Sequence, residues 1–204
     1  MGTYSAQSNN IMEKDRLLDL MRSKNTIFTF KDVSLLWGES DANFMKKKIH
    51  RYVKSGKLYA VRRGIYAKDK NYDKFELATK IFTPSYVSFE TVLAKAGVTF
   101  QLYEKIFVAT YQSKEITCDN QVYSFKTIKK SILINDAGIE KKESYSMATP
   151  ERAFLDVVYL YKDYHFDNLS GVHWGKVFEI LPIYGGNTRM AKKVKEYHEA
   201  TKHT

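Results

Sequence analysis

The segment from Ala42 to Lys68 reads ANFMKKKIHRYVKSGKLYAVRRGIYAK and determines how the N-terminal part of the chain folds. Its first half carries four apolar residues at the spacing of one helix face: Met45, Ile49, Tyr52 and Val53. Gly56 is a helix stop. The second half alternates around Arg62-Arg63-Gly64, which is typical of a β-hairpin. The segment therefore predicts a helix followed directly by a hairpin.

Two shorter helices are predicted before this segment. The apolar pattern from Ile11 to Met21 predicts an amphipathic first helix, and Ile27-Phe28 a short extended piece. Thr29 caps a second helix that Gly38 ends, and Ser40 or Asp41 caps the third, which runs to about Ser55. Three helices and a hairpin predict a winged helix-turn-helix over residues 1–70.

The composition changes after the polar stretch 68–71, and a second domain is predicted over residues 71–204. Its predicted helices cover 72–82, 89–96, 149–162, 174–181 and 187–200. Its predicted strands cover 105–111, 115–118, 121–125, 128–134 and 142–147, with a two-residue turn at Asp119-Asn120. The expected fold class is α+β, with an N-terminal winged helix-turn-helix followed by a mixed α/β C-terminal domain.

Positive charge is concentrated in the first third of the chain. The net charge is +10; residues 1–70 hold 15 Lys or Arg against 7 Asp or Glu, a net of +8, which leaves +2 for the rest. Between Ala42 and Lys68 there are nine Lys or Arg residues and no acid. Charge placed in this way predicts contact with a polyanion, and a helix with a charged hairpin predicts duplex DNA.

The winged-helix geometry assigns a role to each polar residue of the segment. The third helix would enter the major groove, while the hairpin would follow the backbone or the adjacent minor groove. The predicted DNA-binding residues are Asn43, Lys46, Lys47, His50, Arg51, Lys54, Lys57, Arg62 and Arg63. A basic helix face can also be plain solvated surface. The predicted helix, its glycine stop, the hairpin and the absence of acids agree with one another. Together they favour DNA binding over a plain solvated surface. Tyr59 and Tyr66 could stack on bases, but packing against the domain is the more usual role of hairpin tyrosines.

Other chemistries find little support in the sequence. Cys118 is the only cysteine, so no intrachain disulfide and no cysteine-based zinc site can form. Without a nucleophile elbow or a phosphate-binding loop, we predict no catalytic residue, no cofactor and no metal. One alternative is a metal-dependent nuclease built on Asp119, Glu140 and Lys142. Glu151 and Arg152 are expected as a first-turn acid and a surface ion pair.

Membrane attachment and export are not predicted. The first ten residues, MGTYSAQSNN, lack the apolar core of a signal peptide. The longest apolar run, AFLDVVYLY, is much shorter than the roughly 20 residues that cross a bilayer. A soluble, cytoplasmic protein is therefore expected.

Three stretches together resemble a known family. The run IHRYVKSGKLYAVRRGIYAKDK (49–70) is similar to the helix-plus-wing segment of the AbiEi-type antitoxins, transcriptional regulators of bacterial phage-defence loci. YVSFETVLAKAGV (86–98) and SMATPERAFLDVVYL (146–160) resemble two later patterns of that family, in the same order. Residues 165–204 show no motif that we can place in it.

The resemblance implies a repressor of its own operon that serves as the antitoxin of an abortive-infection system. The implied partners are double-stranded DNA, as inverted repeats of its own promoter, and a nucleotidyltransferase-like toxin, contacted directly or counteracted indirectly. Two alternatives stay open: a nuclease that a winged helix targets to nucleic acid, and a toxin-binding protein whose winged helix docks protein. Operator, toxin and oligomeric state do not follow from the sequence.

Overall fold

The computed structural model describes residues 16–101 and 103–202, and it shows an α+β protein. The chain divides into two compact units, Met1–Lys80 and Ile81–Thr204. In the described part of the chain, no helix is both long enough and apolar enough to span a bilayer.

The N-terminal unit contains four helices and a three-stranded antiparallel sheet of order β1-β3-β2 in its described part. Its elements are α1 (16–22), β1 (Ile27–Thr29), α2 (Phe30–Trp37), α3 (Ala42–Lys54), β2 (Tyr59–Arg62), β3 (Ile65–Ala67) and α4 (Lys74–Ile81). The predicted first helix is seen from residue 16 onward, and its predicted residues 11–15 lie outside the described residues. The short extended piece at Ile27-Phe28 joins the hairpin as its third strand.

Local capping sets the helix starts as the sequence predicts. The Thr29 hydroxyl accepts a hydrogen bond from the Asp32 N–H, and the Asp32 carboxylate accepts one from the Thr29 N–H, which completes a capping box. Gly38 ends α2 in the left-handed conformation (φ 60°). Of the two candidate caps of α3, Asp41 is the one used, since its carboxylate accepts from the N–H groups of Asn43 and Phe44.

A core of buried side chains holds α3 against α1 and α2. It is formed by Leu20, Phe28, Val33, Trp37, Met45, Ile49, Tyr52 and Leu58. The rings of Trp37 and Tyr52 meet edge-to-face at 5.9 Å, and the Trp37 indole N–H donates to the backbone carbonyl of Arg16 at 2.8 Å. Because these contacts fix one face of α3, the opposite face is turned to solvent.

The domain boundary lies about ten residues later than the predicted position at residue 70. The predicted second domain includes α4, whereas all of this helix except its last residue, Ile81, falls in the first unit. The Glu76 carboxylate accepts from the N–H and the hydroxyl of Thr26 at 2.8 and 2.7 Å. Lys80 donates to Asp32 at 2.8 Å. These side-chain contacts span about fifty residues of sequence, so no local pattern reveals them.

The C-terminal unit is built on a six-stranded mixed sheet of order β6-β7-β5-β4-β9-β8. The β5–β7 and β4–β9 pairs are parallel, and the other neighbours are antiparallel. The strands are β4 (Tyr86–Val87), β5 (Lys105–Thr110), β6 (Lys114–Cys118), β7 (Gln121–Thr127), β8 (Ile139–Lys141) and β9 (Ser146–Ala148). The helices are α5 (Glu90–Lys95), α6 (Lys130–Leu133), α7 (Pro150–Leu160), α8 (Trp174–Ile180) and α9 (Thr188–Thr201), with a 3₁₀ turn at Leu181–Tyr184.

Two strand predictions in this unit are wrong, and one turn prediction is confirmed. The predicted strand 128–134 is mostly the short helix α6, because its buried Ile128, Ile132 and Leu133 suit a helical turn as well as a strand. Of the predicted strand 142–147, only residues 146 and 147 are extended, in β9, and residues 142–145 connect β8 to β9. Asp119-Asn120 forms the expected tight turn, with φ of 47° and 63°.

Arg152 is fully buried, and the surface ion pair predicted for it is therefore wrong. Its guanidinium uses all five N–H donors. It donates to the Asp156 carboxylate, the Tyr86 hydroxyl and the backbone carbonyls of Ile132, Asn135 and Ala137. Asp156 also accepts from Ser88, Tyr86 and Tyr184. Burial alone would lower the pKa of Arg152, but Asp156 and the neighbouring phenols raise it overall, so the guanidinium stays charged.

Candidate nucleic-acid interface

The predicted DNA-binding residues of α3 share one face of the helix. At about 100° per residue, Asn43, Lys46, Lys47, His50, Arg51 and Lys54 fall within an arc of about 140°. All six are exposed. The buried residues of the helix, Met45, Lys48, Ile49 and Tyr52, occupy the opposite arc. The six exposed residues therefore form a single stripe along α3.

Lys57 and Arg63 are exposed as well, whereas Arg62 is only half-exposed. We call these three and the six outward residues of α3 the cationic face. One terminal nitrogen of Arg62, Nη1, is buried and has no hydrogen-bond partner within the described part of the chain. A buried donor of this kind is costly unless a ligand or a water accepts from it.

Lys48 belongs to the basic run in sequence but not to the cationic face. It is 6% exposed, and its ammonium lies 5.5 Å from the centre of the Phe44 ring. The run of three lysines thus divides into two that face solvent and one whose aliphatic stem covers the core. The helix period explains the difference: at about 100° per residue, Lys48 lies about 60° outside the arc that holds the six exposed residues.

The hairpin is positioned by a tight turn and an irregular strand. Gly64 has φ 79°, a conformation that favours glycine, and its carbonyl accepts from the Phe30 N–H at 2.9 Å. The register of β2 against β3 shifts between Ala60 and Arg62, as at a β-bulge. A bulge re-aims the side chains beside it, and here it adjoins the arginine pair of the turn.

A groove joins the helix part of the cationic face to the hairpin. It has a volume of about 480 Å³ and is lined by Lys46, Lys47, Ile49, His50, Val53, Ala60 and Tyr66. Three residues of the predicted set therefore meet the hairpin across one concave surface. Ile49, Val53 and Ala60 are its apolar lining residues, and Lys46, Lys47 and His50 are its basic ones.

Tyr66 brings a hydroxyl to the groove and lies outside the predicted binding set. It is half-buried on β3, packs against the core and also lines the groove. Burial raises the pKa of its hydroxyl, so the phenol is a neutral hydrogen-bond donor at neutral pH. Tyr59, the other hairpin tyrosine, stacks on Tyr72 at 6.5 Å. Packing is thus a role that the structure shows for both tyrosines, and Tyr66 also lines the groove.

Three of the acids that precede α3 make other contacts. Asp32 binds Lys80, Glu39 lies 3.5 Å from Arg16, and Asp41 caps the helix. Burial alone would raise the pKa of Asp32, but Lys80 and the Thr29 N–H lower it overall, so its charge is held at neutral pH.

The three residues of the nuclease alternative do not converge. Asp119 lies in the turn between β6 and β7, whereas Glu140 is on β8, at the opposite edge of the six-stranded sheet. Five strand spacings separate those edges, about 24 Å. Lys142 is exposed and pairs with Glu140 at 2.6 Å. Over residues 16–101 and 103–202, no group of three His, Cys, Asp or Glu side chains is placed to hold a metal ion.

Comparison with known proteins gives a distant likeness to solved structures. No family model matches the sequence. No curated protein matches it either. Among solved structures, the crystal structure of the RV2827C protein from Mycobacterium tuberculosis is similar with a TM-score of 0.46 and 11% identity, over 91% of this chain and 81% of that one. A likeness this distant carries no functional argument.

Proposed function

We propose that the N-terminal unit is a winged helix-turn-helix that binds duplex DNA. In this proposal α3 enters the major groove, and the β2–β3 hairpin is the wing that follows the sugar-phosphate backbone. The order of elements, three helices and then a hairpin closed by an early strand, is compatible with this fold.

The observation that supports the proposal best is the groove between α3 and the hairpin. Lys46, Lys47 and His50 line it from the helix, and Ala60 and Tyr66 from the hairpin. The residues that would touch DNA thus come from two elements, yet they border one surface. If the lysine stripe were only solvated surface, nothing would require it to lie beside a hairpin that carries two arginines at its turn.

The contacts divide by position along α3. Asn43, Lys46 and Lys47 lie in the first turns of the helix, the part that reaches base edges in this class of protein. Arg51 and Lys54 lie in its last turns and would bind phosphates together with Lys57. Arg62 and Arg63 would lie along the backbone or in the minor groove, where narrow grooves attract arginine.

The regulatory role comes from the resemblance to the AbiEi-type antitoxins. We propose that the protein represses its own operon and counteracts a nucleotidyltransferase-like toxin encoded beside it. This part is supported by the three sequence stretches at 49–70, 86–98 and 146–160 and by their order.

A gel-shift series with the upstream DNA of its own gene tests DNA binding. The wild-type protein should shift this duplex without a divalent metal and leave it intact when Mg²⁺ is added. Charge reversal of Lys46, Lys47 and Arg63 to Glu should abolish the shift. A matched triple reversal of exposed lysines in the other unit, Lys114, Lys130 and Lys141, should leave it unchanged. Equal losses in the two triple variants would contradict a specific role for the cationic face.

Co-expression tests the antitoxin role separately. A nucleotidyltransferase-like neighbour that arrests growth when expressed alone should be tolerated when this protein is co-expressed from an unrelated promoter. The DNA-binding triple variant distinguishes neutralisation from repression, since it should still protect cells if the C-terminal unit acts on the toxin. Growth arrest that persists with the wild-type protein would contradict the antitoxin proposal.

A further inference from the structure

The groove between α3 and the hairpin changes its chemical character along its length. Lys46 and Lys47 lie at one end of the wall that α3 provides. Val53 lies about 10 Å further along the same wall, at the rise of about 1.5 Å per residue of an α-helix. One end of this wall is therefore cationic, and the other end is apolar.

The opposite wall of the groove is formed by two paired residues of the hairpin. Ala60 on β2 and Tyr66 on β3 are register partners in the antiparallel pair, so their side chains lie on the same face of the hairpin. Both residues line the groove. Tyr66 and Val53 also pack against the same buried core, and this shared packing fixes the two walls relative to each other.

DNA alone does not complement the whole groove. Each nucleotide of a duplex strand carries a negative charge, which suits the lysine end but not the end formed by Val53 and Ala60. Among the described residues that line the groove, none is acidic, so a cationic ligand finds no ionic partner there.

The size and the lining of the groove suit a small molecule. Its volume of about 480 Å³ lies within the range of small-molecule sites. Such sites combine an apolar lining with a few polar groups that orient the ligand. With cations at one end, apolar side chains at the other and the Tyr66 ring between α3 and β2, the groove fits a molecule with one negative charge and a flat apolar body.

We propose that the groove also binds a small aromatic carboxylate, and that the bound carboxylate displaces DNA. The carboxylate accepts charge-assisted hydrogen bonds from Lys46 and Lys47, and the Tyr66 hydroxyl is a further donor. The aromatic body packs against Val53 and Ala60, where the burial of apolar surface adds to the affinity. Because the same two lysines would bind DNA, the two ligands exclude each other. The displacement rests on the proposed DNA binding, whereas the carboxylate site does not.

A nitrogen-15 NMR titration of the full chain with 2-naphthoate tests the site. Saturable shifts are expected for the backbone amides of Lys47, His50, Val53 and Tyr66. The alcohol 2-naphthylmethanol has the same ring without the charge and should bind at least about tenfold more weakly, since the charge-assisted bonds are lost. Acetate has the charge without the ring and should give no saturable shift. Equal binding of the alcohol and naphthoate, saturation by acetate, or no shift with naphthoate would overturn the site.

Variants with a matched control separate the two ends of the groove. Lys47→Met should weaken the binding of 2-naphthoate by about tenfold, because one charge-assisted bond is lost. Lys54→Met removes an exposed charge of α3 that does not line the groove, and should leave the affinity for naphthoate unchanged. Ala60→Phe fills the apolar end and should weaken naphthoate several-fold.

Two outcomes of this variant series would contradict the site. Equal losses in Lys47→Met and Lys54→Met would reduce the binding to a general attraction between opposite charges. Wild-type affinity in Ala60→Phe would show that the apolar end does not contact the ligand. Thermal unfolding shows that each variant is folded.

Competition with duplex DNA tests the displacement. The fluorescence anisotropy of the labelled upstream duplex should fall when 2-naphthoate is added to the complex, and it should not fall with 2-naphthylmethanol or sodium acetate at the same concentration. If naphthoate shifts the groove amides but leaves the duplex bound, the displacement is overturned. If the wild-type protein does not bind the duplex at all, the proposed DNA binding fails and the displacement fails with it, whereas the carboxylate site is judged by the NMR titration alone.

Discussion

The cationic face of the N-terminal unit and the Arg152 network of the C-terminal unit use positive charge in opposite ways. Every N–H of the Arg152 guanidinium is bonded to a protein oxygen, and the side chain is fully buried. Lys46, Lys47 and Arg63 are exposed, in a segment that contains no acid. A charge whose partners are all internal stabilises a fold, whereas charges grouped without acids are suited to an external anion.

The same contrast occurs within the run of three lysines. Lys48 is buried beside Phe44, while Lys46 and Lys47 border the groove. Neighbours in sequence can therefore differ completely in role, and the helix phase decides which lysine is available. The same substitution should therefore have very different consequences at a buried and at an exposed member of each comparison.

The largest effect is expected for Arg152→Met. This change leaves the Asp156 carboxylate buried without its cation and removes the donors to the carbonyls of Ile132, Asn135 and Ala137. The expected loss is about 3–5 kcal/mol in the free energy of unfolding, because breaking a buried pair leaves an uncompensated charge. Urea unfolding followed by circular dichroism measures it.

Arg63→Met is the control for that experiment. Its guanidinium is exposed, so its substitution should change the free energy of unfolding by less than about 0.5 kcal/mol. Similar losses in the two variants would remove the distinction between an internal and an external charge.

A smaller effect is expected when the lysine run is tested one residue at a time. Lys46→Met should lower the affinity for duplex DNA by about tenfold at moderate salt, since one charged contact with the duplex is lost. Lys48→Met should stay within about twofold of the wild type, because that ammonium is turned away from the groove. Fluorescence anisotropy with a labelled duplex compares them. A greater loss in Lys48→Met would contradict the assigned helix phase.

The smallest effect concerns the acid that holds α2 and α4. Asp32→Asn weakens the capping box and the pair with Lys80, and should cost about 1 kcal/mol at neutral pH. The folded pKa of Asp32 lies below its ordinary value of 3.8, so its stabilisation is present above that value. It is lost as the pH falls through the folded pKa, because the wild-type carboxyl then becomes protonated.

Urea unfolding of wild type and Asp32→Asn across this pH range checks the sign. The two curves should converge in acid. If the difference in the free energy of unfolding between the two proteins stayed constant into strong acid, the charge of Asp32 would not be its cause. Asp19→Asn, an exposed acid on α1, should follow the wild type throughout.

Local signals in the sequence predict the N-terminal unit well. The caps at Thr29 and Asp41, the stop at Gly38 and the turn at Gly64 each depend on a few adjacent residues, and each is confirmed. The outward position of the α3 residues follows from the same periodicity that buries Met45 and Ile49. Whether this surface binds DNA stays a prediction.

What the sequence could not predict depends on contacts between distant residues. Arg152 sits in a helix start that looks like any exposed first turn, and its acceptors are carbonyls 15–20 residues earlier. Helix α6 has an apolar pattern that fits a strand equally well. The groove requires β3 to lie beside α3, so Tyr66 could not be identified as a lining residue from alternation alone.

The salt dependence of DNA binding tests the central claim most directly. Phosphate contacts by five to seven Lys or Arg side chains of the cationic face predict that log K falls with log salt concentration with a slope between about −4 and −6. Anisotropy titrations of the promoter duplex over a salt series give this slope. Absence of binding at low ionic strength, or a slope near zero, would contradict a cationic face that lies against duplex phosphates.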